Sequence, residues 1–186
     1  MKDQTLLAHT NTPNKPCFAV GDAVVYRAEG VCDVVDIRNE NFGARNDGAK
    51  YYILSPRNDS NSMLYVPVDN ETLTALMRPI LKKEEIFTLV RDLRGERLVW
   101  IPDSRARNTK FREILSLGDR REVIVLLQTV REHIEKVTLA GKKPGSTETN
   151  AMYRATKLLR DEFSMAFSMT SDEDLFALLD GDTLSV

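Results

Sequence analysis

The stretch that decides the fold of the first part of the chain is FAVGDAVVYRAEGVCDVVDI, from Phe18 to Ile37. Apolar residues recur at every second position on either side of two turn-forming pairs, Gly21-Asp22 and Glu29-Gly30. A period of two that is interrupted by Gly and Asp is typical of short β-strands joined by tight turns. The stretch therefore predicts the opening of a small β-barrel.

The β pattern continues to about residue 80. Two further runs, YYIL (51–54) and MLYVPV (63–68), are rich in strand-forming residues, and loops rich in Asn, Gly and Asp precede them. Pro67 lies inside the second run, and because proline cannot donate to a β-ladder, it favours an edge strand. We expect the barrel over residues 18–80, after a polar, flexible tail over residues 1–17.

Beyond Pro79 the apolar residues recur at helical spacing instead. Turn and cap residues, among them Gly95, Gly118 and Ser171, separate five predicted helices. Their apolar stripes run from Ile86 to Leu93, Phe111 to Leu115, Val123 to Val137, Met152 to Ala166, and in a last short helix to Leu178. A change from β to α near residue 80 predicts an α+β chain in two domains, with a compact all-α domain over residues 81–186.

The net charge of −2 hides an uneven distribution along the chain. Residues 81–160 carry 18 Lys and Arg against 11 Asp and Glu, a net charge of +7. Residues 161–186 carry 7 acidic and no basic residues, so the chain has an acidic C-terminal end. The middle block is therefore the part suited to a polyanion, although a solvated helical surface explains the same charges.

No motif of an enzyme or of a cofactor site occurs in the chain, which predicts a non-enzymatic protein without a cofactor. Two Cys and two scattered His do not supply the four ligands of a zinc site, so no metal is expected either. Cys17 and Cys32 form no C-x-x-C pair and predict reduced thiols in a cytoplasmic protein. No apolar run is long enough to cross a membrane.

The segment WIPDSRARNTKFR, from Trp100 to Arg112, is the best candidate for recognition. It holds the only tryptophan and then the basic residues Arg105, Arg107, Lys110 and Arg112. Basic side chains in the first turns of a helix can reach phosphates, and a neighbouring aromatic ring can wedge against bases. A tryptophan at a helix junction is equally well explained as a core anchor, so the residues alone leave both interpretations open.

Taken in order, these residues resemble the CarD/CdnL family, bacterial regulators that bind RNA polymerase, and a related domain occurs in the transcription-repair coupling factor. The resemblance covers about residues 18–170. It rests on V-G-D-x-V-V-Y (Val20–Tyr26), Gly30, V-P (Val66-Pro67), Trp100 with its basic neighbours, and L-x-x-G-D (Leu115–Asp119).

The resemblance implies a Tudor-like β domain that binds the RNA polymerase β subunit through a sheet edge. It also implies a helical domain that touches promoter DNA at the upstream edge of the bubble through a tryptophan. The polymerase contacts expected in this chain are Tyr65, Val66, Pro67, Arg38 and Lys50. The expected DNA contacts are Trp100, Arg105, Arg107, Lys110 and Arg112. Some family members carry basic side chains where this sequence has Glu40 and Tyr65, which is why Arg38, Arg45 or Lys50 is expected to substitute.

The function expected from the sequence is a cytoplasmic, nucleoid-associated transcription regulator that stabilises the open promoter complex. Two other functions fit the same residues. A protein-protein interaction module would keep Trp100 in its core and lack salt-sensitive affinity for DNA. A stand-alone nucleic-acid-binding protein would make no contact with polymerase.

Overall fold

A computed structural model describes residues 18–42, 48–59 and 61–181. The first part folds into five antiparallel strands in the order β4-β3-β2-β1-β5. A 3₁₀ turn (Arg27–Glu29) links the first two strands, and a short helix, α1 (Glu71–Thr74), precedes the last one. The strands are β1 (Ala23–Tyr26), β2 (Val31–Glu40), β3 (Ala49–Pro56), β4 (Leu64–Pro67) and β5 (Met77–Pro79).

The prediction of β structure before residue 80 and of a mixed α+β chain is confirmed, but the sheet is open rather than a closed barrel. β4 and β5 lie at opposite ends of the sheet, and the described part of the chain contains no pairing between them. Closure needs a continuous ladder around the barrel, and these end strands of 4 and 3 residues are short. Pro67 lies in an edge strand, as predicted.

One face of the sheet carries its own apolar core, which includes Val24, Cys32, Leu54 and Val66. These residues are brought to the same face by the register, which pairs Val24 with Cys32 and Val34 with Leu54. Burial, with smaller contributions from nearby acids, raises the pKa of the Cys32 thiol to about 12. Cys32 is therefore a protonated core residue with little reactivity.

Five longer helices follow the sheet and form a second core. They are α2 (Lys83–Leu93), α3 (Ser104–Leu117), α4 (Arg120–Leu139), α5 (Ser146–Phe163) and α6 (Asp172–Asp180). The predicted stripes are buried over most of their length, whereas Ile134 and Val137, in the C-terminal half of α4, are only partly covered. Asp103 rather than Ser104 caps α3, by accepting from the amide of Ala106. The boundary between two domains at residue 80 stays a prediction, and the tail over residues 1–17 lies outside the described residues.

The acidic C-terminal end forms the last short helix that the sequence predicts, and this helix packs on the core. The apolar face of α6 contributes Leu175, Leu178 and Leu179 to the helical core. Its acidic face is partly neutralised, since Asp180 accepts two hydrogen bonds from the Arg131 guanidinium at 2.9 and 2.6 Å. Removal of this end would therefore open the core.

The sheet and the helices meet at the turn between α3 and α4. Gly118 ends α3 in the left-handed conformation, and its carbonyl oxygen accepts a hydrogen bond from Arg78 of β5. Arg120 donates to the Pro79 carbonyl at 3.1 Å and forms a buried ion pair with Glu162 of α5 at 2.8 Å. Burial raises the pKa of Glu162 and lowers that of Arg78, so both charges lie out of water at this junction.

Gly118→Ala is expected to destabilise the protein strongly. A Cβ there would overlap the Arg27 carbonyl, and the backbone has a φ of +64°. Gly141→Ala is the matched control, since Gly141 has a φ of +70° but nothing within 4 Å of a built Cβ. The control should lose about 1 kcal/mol in free energy of unfolding and Gly118→Ala at least about 2 kcal/mol more. Equal losses in chemical denaturation would contradict the close approach at the junction.

Candidate functional site

An exposed aromatic cluster covers the edge of the sheet at β4. It consists of Phe42, Tyr51 and Tyr65, whose rings meet edge to face with centroids 5.0 to 6.5 Å apart. Phe42 is 60% exposed and Tyr65 39% exposed, while Tyr51 is buried beneath them. Apolar rings that stay in water beside the open edge of a sheet are typical of a protein-protein contact.

The five polymerase contacts predicted from the sequence do not share one face. The register aligns Arg38, Tyr51 and Pro67, so these residues project from the aromatic face, as does Tyr65. Val66 and Lys50 project from the opposite face, and Val66 is only 1% exposed. The side chain of Val66 is therefore a core residue, and only its backbone lies at the edge.

Arg38 lies on the aromatic face between two acids. Its guanidinium pairs with Glu40 at 2.6 Å and with Asp36 at 2.9 Å, and hydrogen bonds to these two carboxylates raise its pKa. All three side chains are near the surface, so a partner carboxylate would compete with them for Arg38. Arg38 could therefore exchange one of these ion pairs for an ion pair with an acidic partner.

The second candidate region is the segment before α3 that leads to Trp100, and hydrogen bonds attach it to α4. Thr129 accepts a hydrogen bond from the Leu98 amide at 2.9 Å. Arg97 binds Glu132 at 2.8 Å and Gln128 at 2.7 Å. Hydrogen bonds from Lys136, and then from Arg97, lower the pKa of Glu132 to about 2. These contacts hold the segment that leads to Trp100 against the helical core.

Trp100 is half-buried in a stack of side chains from two helices. The His133 imidazole lies parallel to the indole with ring centroids 3.7 Å apart, and the Arg107 guanidinium carbon lies over the ring at 4.7 Å. Phe111 meets the indole edge to face at 6.5 Å. The residue thus combines the two alternatives from the sequence, since it packs on the core and keeps a surface in water.

The four basic residues predicted to contact DNA differ in their surroundings. Arg107 is only 11% exposed, and it binds Glu148 at 2.7 Å and two carbonyl oxygens, so its guanidinium is engaged inside the protein while the predicted phosphate contact stays a prediction. Lys110 pairs with Glu113 at 3.3 Å. Arg105 and Arg112 are exposed on one face of α3, seven residues apart, and neither pairs with an acid in the described part of the chain. These two remain suited to phosphates.

Val99 is a surface residue that sequence reasoning missed. Its side chain is 91% exposed, directly before Trp100. In this extended segment Leu98 and Trp100 point towards the core, so Val99 points outwards. The signal was present in the apolar run L-V-W-I, because at least one member of such an extended run must face away from its support.

The described residues contain no group of His, Cys, Asp and Glu side chains that could hold a metal ion. Within the same residues, no helix has the length and apolar character that a membrane span requires.

Replacement of Glu132 by Gln should remove an acid-dependent part of the stability. Because the folded pKa of Glu132 is lowered, its contribution is present above about pH 4.5 and is lost as pH falls towards 2. At pH 7 the variant should melt earlier than the native protein, and the difference should shrink below pH 4.5. Glu135→Gln, which changes an exposed acid on the same helix, is the matched control. A difference in melting temperature that is constant from pH 7 to pH 2 would contradict the assignment.

Comparison with known protein families identifies the sheet. Residues 18–81 match the family model of the CarD-like/TRCF RID domain, a domain of an RNA polymerase-interacting type. The match begins at Phe18, at the edge of the sheet core, and ends just after β5. A search of curated proteins returned no match. The resemblance drawn from the sequence is confirmed for these residues.

Proposed function

We propose, from the CarD-like/TRCF RID domain that residues 18–81 form, that this protein is a transcription regulator that binds the RNA polymerase β subunit and stabilises the open promoter complex. The observation that carries the proposal is the match of the whole sheet to an RNA polymerase-interacting domain. The helical part would supply the contacts to promoter DNA. No catalytic step is assigned to the protein.

The β4 edge supports the contact with polymerase. β4 pairs only with β3 among the described strands, so its outer edge can accept an additional strand. Phe42 and Tyr65 border this edge, and aromatic side chains are enriched at the centres of protein interfaces. The edge also lies at the end of the sheet away from β5, which is tied to the helices through Arg78. A partner at β4 would therefore leave the junction intact.

Tyr65→Asp should weaken binding of the full-length protein to polymerase by at least about tenfold. It removes an interface ring and places a charge in an apolar contact, a change that can cost more than ~2 kcal/mol. Tyr153→Asp is the matched control, since Tyr153 is exposed on α5. Biolayer interferometry with immobilised polymerase measures both. Equal affinities of the two folded variants would exclude Tyr65 from the interface.

The α3 face supports the contact with DNA. Arg105 and Arg112 supply positive charge, and Val99 with the free edge of Trp100 supplies apolar surface beside it. Contacts made only with melted, kinked DNA would stabilise that state through differential affinity. Attachment to polymerase raises the effective concentration of the helical part, so weak DNA contacts suffice.

The double variant Arg105→Ala, Arg112→Ala should reduce the salt dependence of DNA binding. Each phosphate that is no longer neutralised should lower the slope of log affinity against log salt by about 0.9. Arg91→Ala, which removes an exposed charge from α2, is the matched control and should change the slope less. Fluorescence anisotropy with a bubble-containing duplex gives the slopes. Identical slopes for the native protein, the double variant and the control would show that α3 does not contact DNA.

A protein-protein interaction module remains the second candidate. The internal ion pair of Arg107 and the stacked position of Trp100 favour it, because both residues help to pack the helices. Such a module would bind polymerase normally and show no salt-sensitive affinity for bubble DNA. The anisotropy measurement on the native protein therefore separates the two functions.

A further inference from the structure

The two faces of the Trp100 indole are both covered by other side chains. His133 of α4 lies over the ring at 3.7 Å, and Arg107 of α3 lies over it at 4.7 Å. Two groups directly over one ring at these distances would overlap if they shared a face, so they must lie on opposite faces. Trp100 is thus sandwiched between an imidazole and a guanidinium, and its faces are closed to a further ring.

The Arg107 side of the sandwich is held rigidly. The Arg107 guanidinium donates to Glu148 at 2.7 Å and to the carbonyls of Ile101 and Pro102 at 2.7 and 3.0 Å. The Glu148 side chain is 5% exposed and lies in the first turn of α5, where the helix dipole favours a carboxylate. The Glu148–Arg107 pair therefore connects the start of α5 to the segment that carries Trp100.

The remaining surface of Trp100 is an edge of the ring. The indole N–H has no acceptor among the described residues, and Trp100 is only partly buried, so part of its ring edge is open to solvent. An edge that carries an N–H donor can enter a groove or abut a base pair, whereas a covered face cannot stack on a base.

We propose that His133 and Arg107 are positioning residues, which clamp Trp100 so that only its edge is presented to promoter DNA. This inference rests on the proposed function. It assigns Arg107 to the protein interior instead of a phosphate, and it gives His133 a role in a chain without metal or enzyme motifs. Loss of either clamp should leave Trp100 in place but free to turn, which weakens a contact that needs a fixed edge.

Trp100 is the only tryptophan of the chain, so its fluorescence tests the clamp without DNA or polymerase. His133→Ala should raise the acrylamide quenching constant, shift the emission to longer wavelength and lower the steady-state anisotropy of the full-length protein. His133→Phe restores a stacking ring and should restore all three values. Glu135→Ala, on the same helix, is the control. Unchanged emission, quenching and anisotropy in folded His133→Ala would overturn the clamp.

A second variant keeps the test decisive if His133→Ala fails to fold. Arg107→Lys retains the positive charge but loses the planar fork that binds Glu148 and the two carbonyls. If Arg107 clamps the indole, this variant should show lower anisotropy and stronger quenching of Trp100 fluorescence. It should also lengthen the open-complex lifetime less than the native protein does. A role for Arg107 as a phosphate-binding charge predicts that Lys substitutes with little change, and this result would overturn the positioning role.

The open-complex lifetime links the clamp to function. His133→Ala should shorten the lifetime gained from the protein by about two- to tenfold, the range expected for loss of one aromatic contact, and His133→Phe should recover it. The positioning role is wrong, while the proposed function stands, if Trp100→Ala shortens the lifetime but His133→Ala does not, even though its Trp100 indole has become mobile. If Trp100→Ala itself has no effect, the proposed DNA contact fails and the positioning role fails with it, whatever the fluorescence shows.

Discussion

The close approach of the α3–α4 turn to the 3₁₀ turn of the sheet is the constraint on which the rest of the structure depends. Only a glycine fits at position 118, because its backbone is left-handed and a Cβ would overlap the Arg27 carbonyl. Arg27 is itself the one described non-glycine residue with a positive φ, of 49°. The backbone conformations of the two turns therefore depend on each other, and their contact determines where α4 begins.

The charged groups at this junction determine geometry more than stability. Removing Arg120 and Glu162 from water costs free energy that their ion pair must offset, so the pair contributes little net stability. Its partners are specific, however, because Arg120 also reaches the Pro79 carbonyl and Arg78 reaches that of Gly118. A shift of the helices against the sheet would leave buried charges unpaired. The junction thus fixes the sheet relative to the helices that surround Trp100.

Local patterns of the sequence predicted most of the elements, and long-range contacts account for the errors. Strands, apolar helical stripes and the Gly118 and Ser171 caps follow from spacing and cap chemistry, which are properties of neighbouring residues. The open sheet depends on which distant strands pair. The internal role of Arg107 depends on Glu148, 41 residues away, and the stack on Trp100 depends on His133.

In the proposed function, the helical part stabilises melted promoter DNA while the sheet holds polymerase. The lifetime of the open complex, measured with a competitor that traps dissociated polymerase, tests it most directly. Native protein should lengthen the lifetime in a saturable manner, and the effect should disappear with Tyr65→Asp at concentrations where only the native protein is bound. A lifetime that does not change at saturating protein, with polymerase binding intact, would contradict the account.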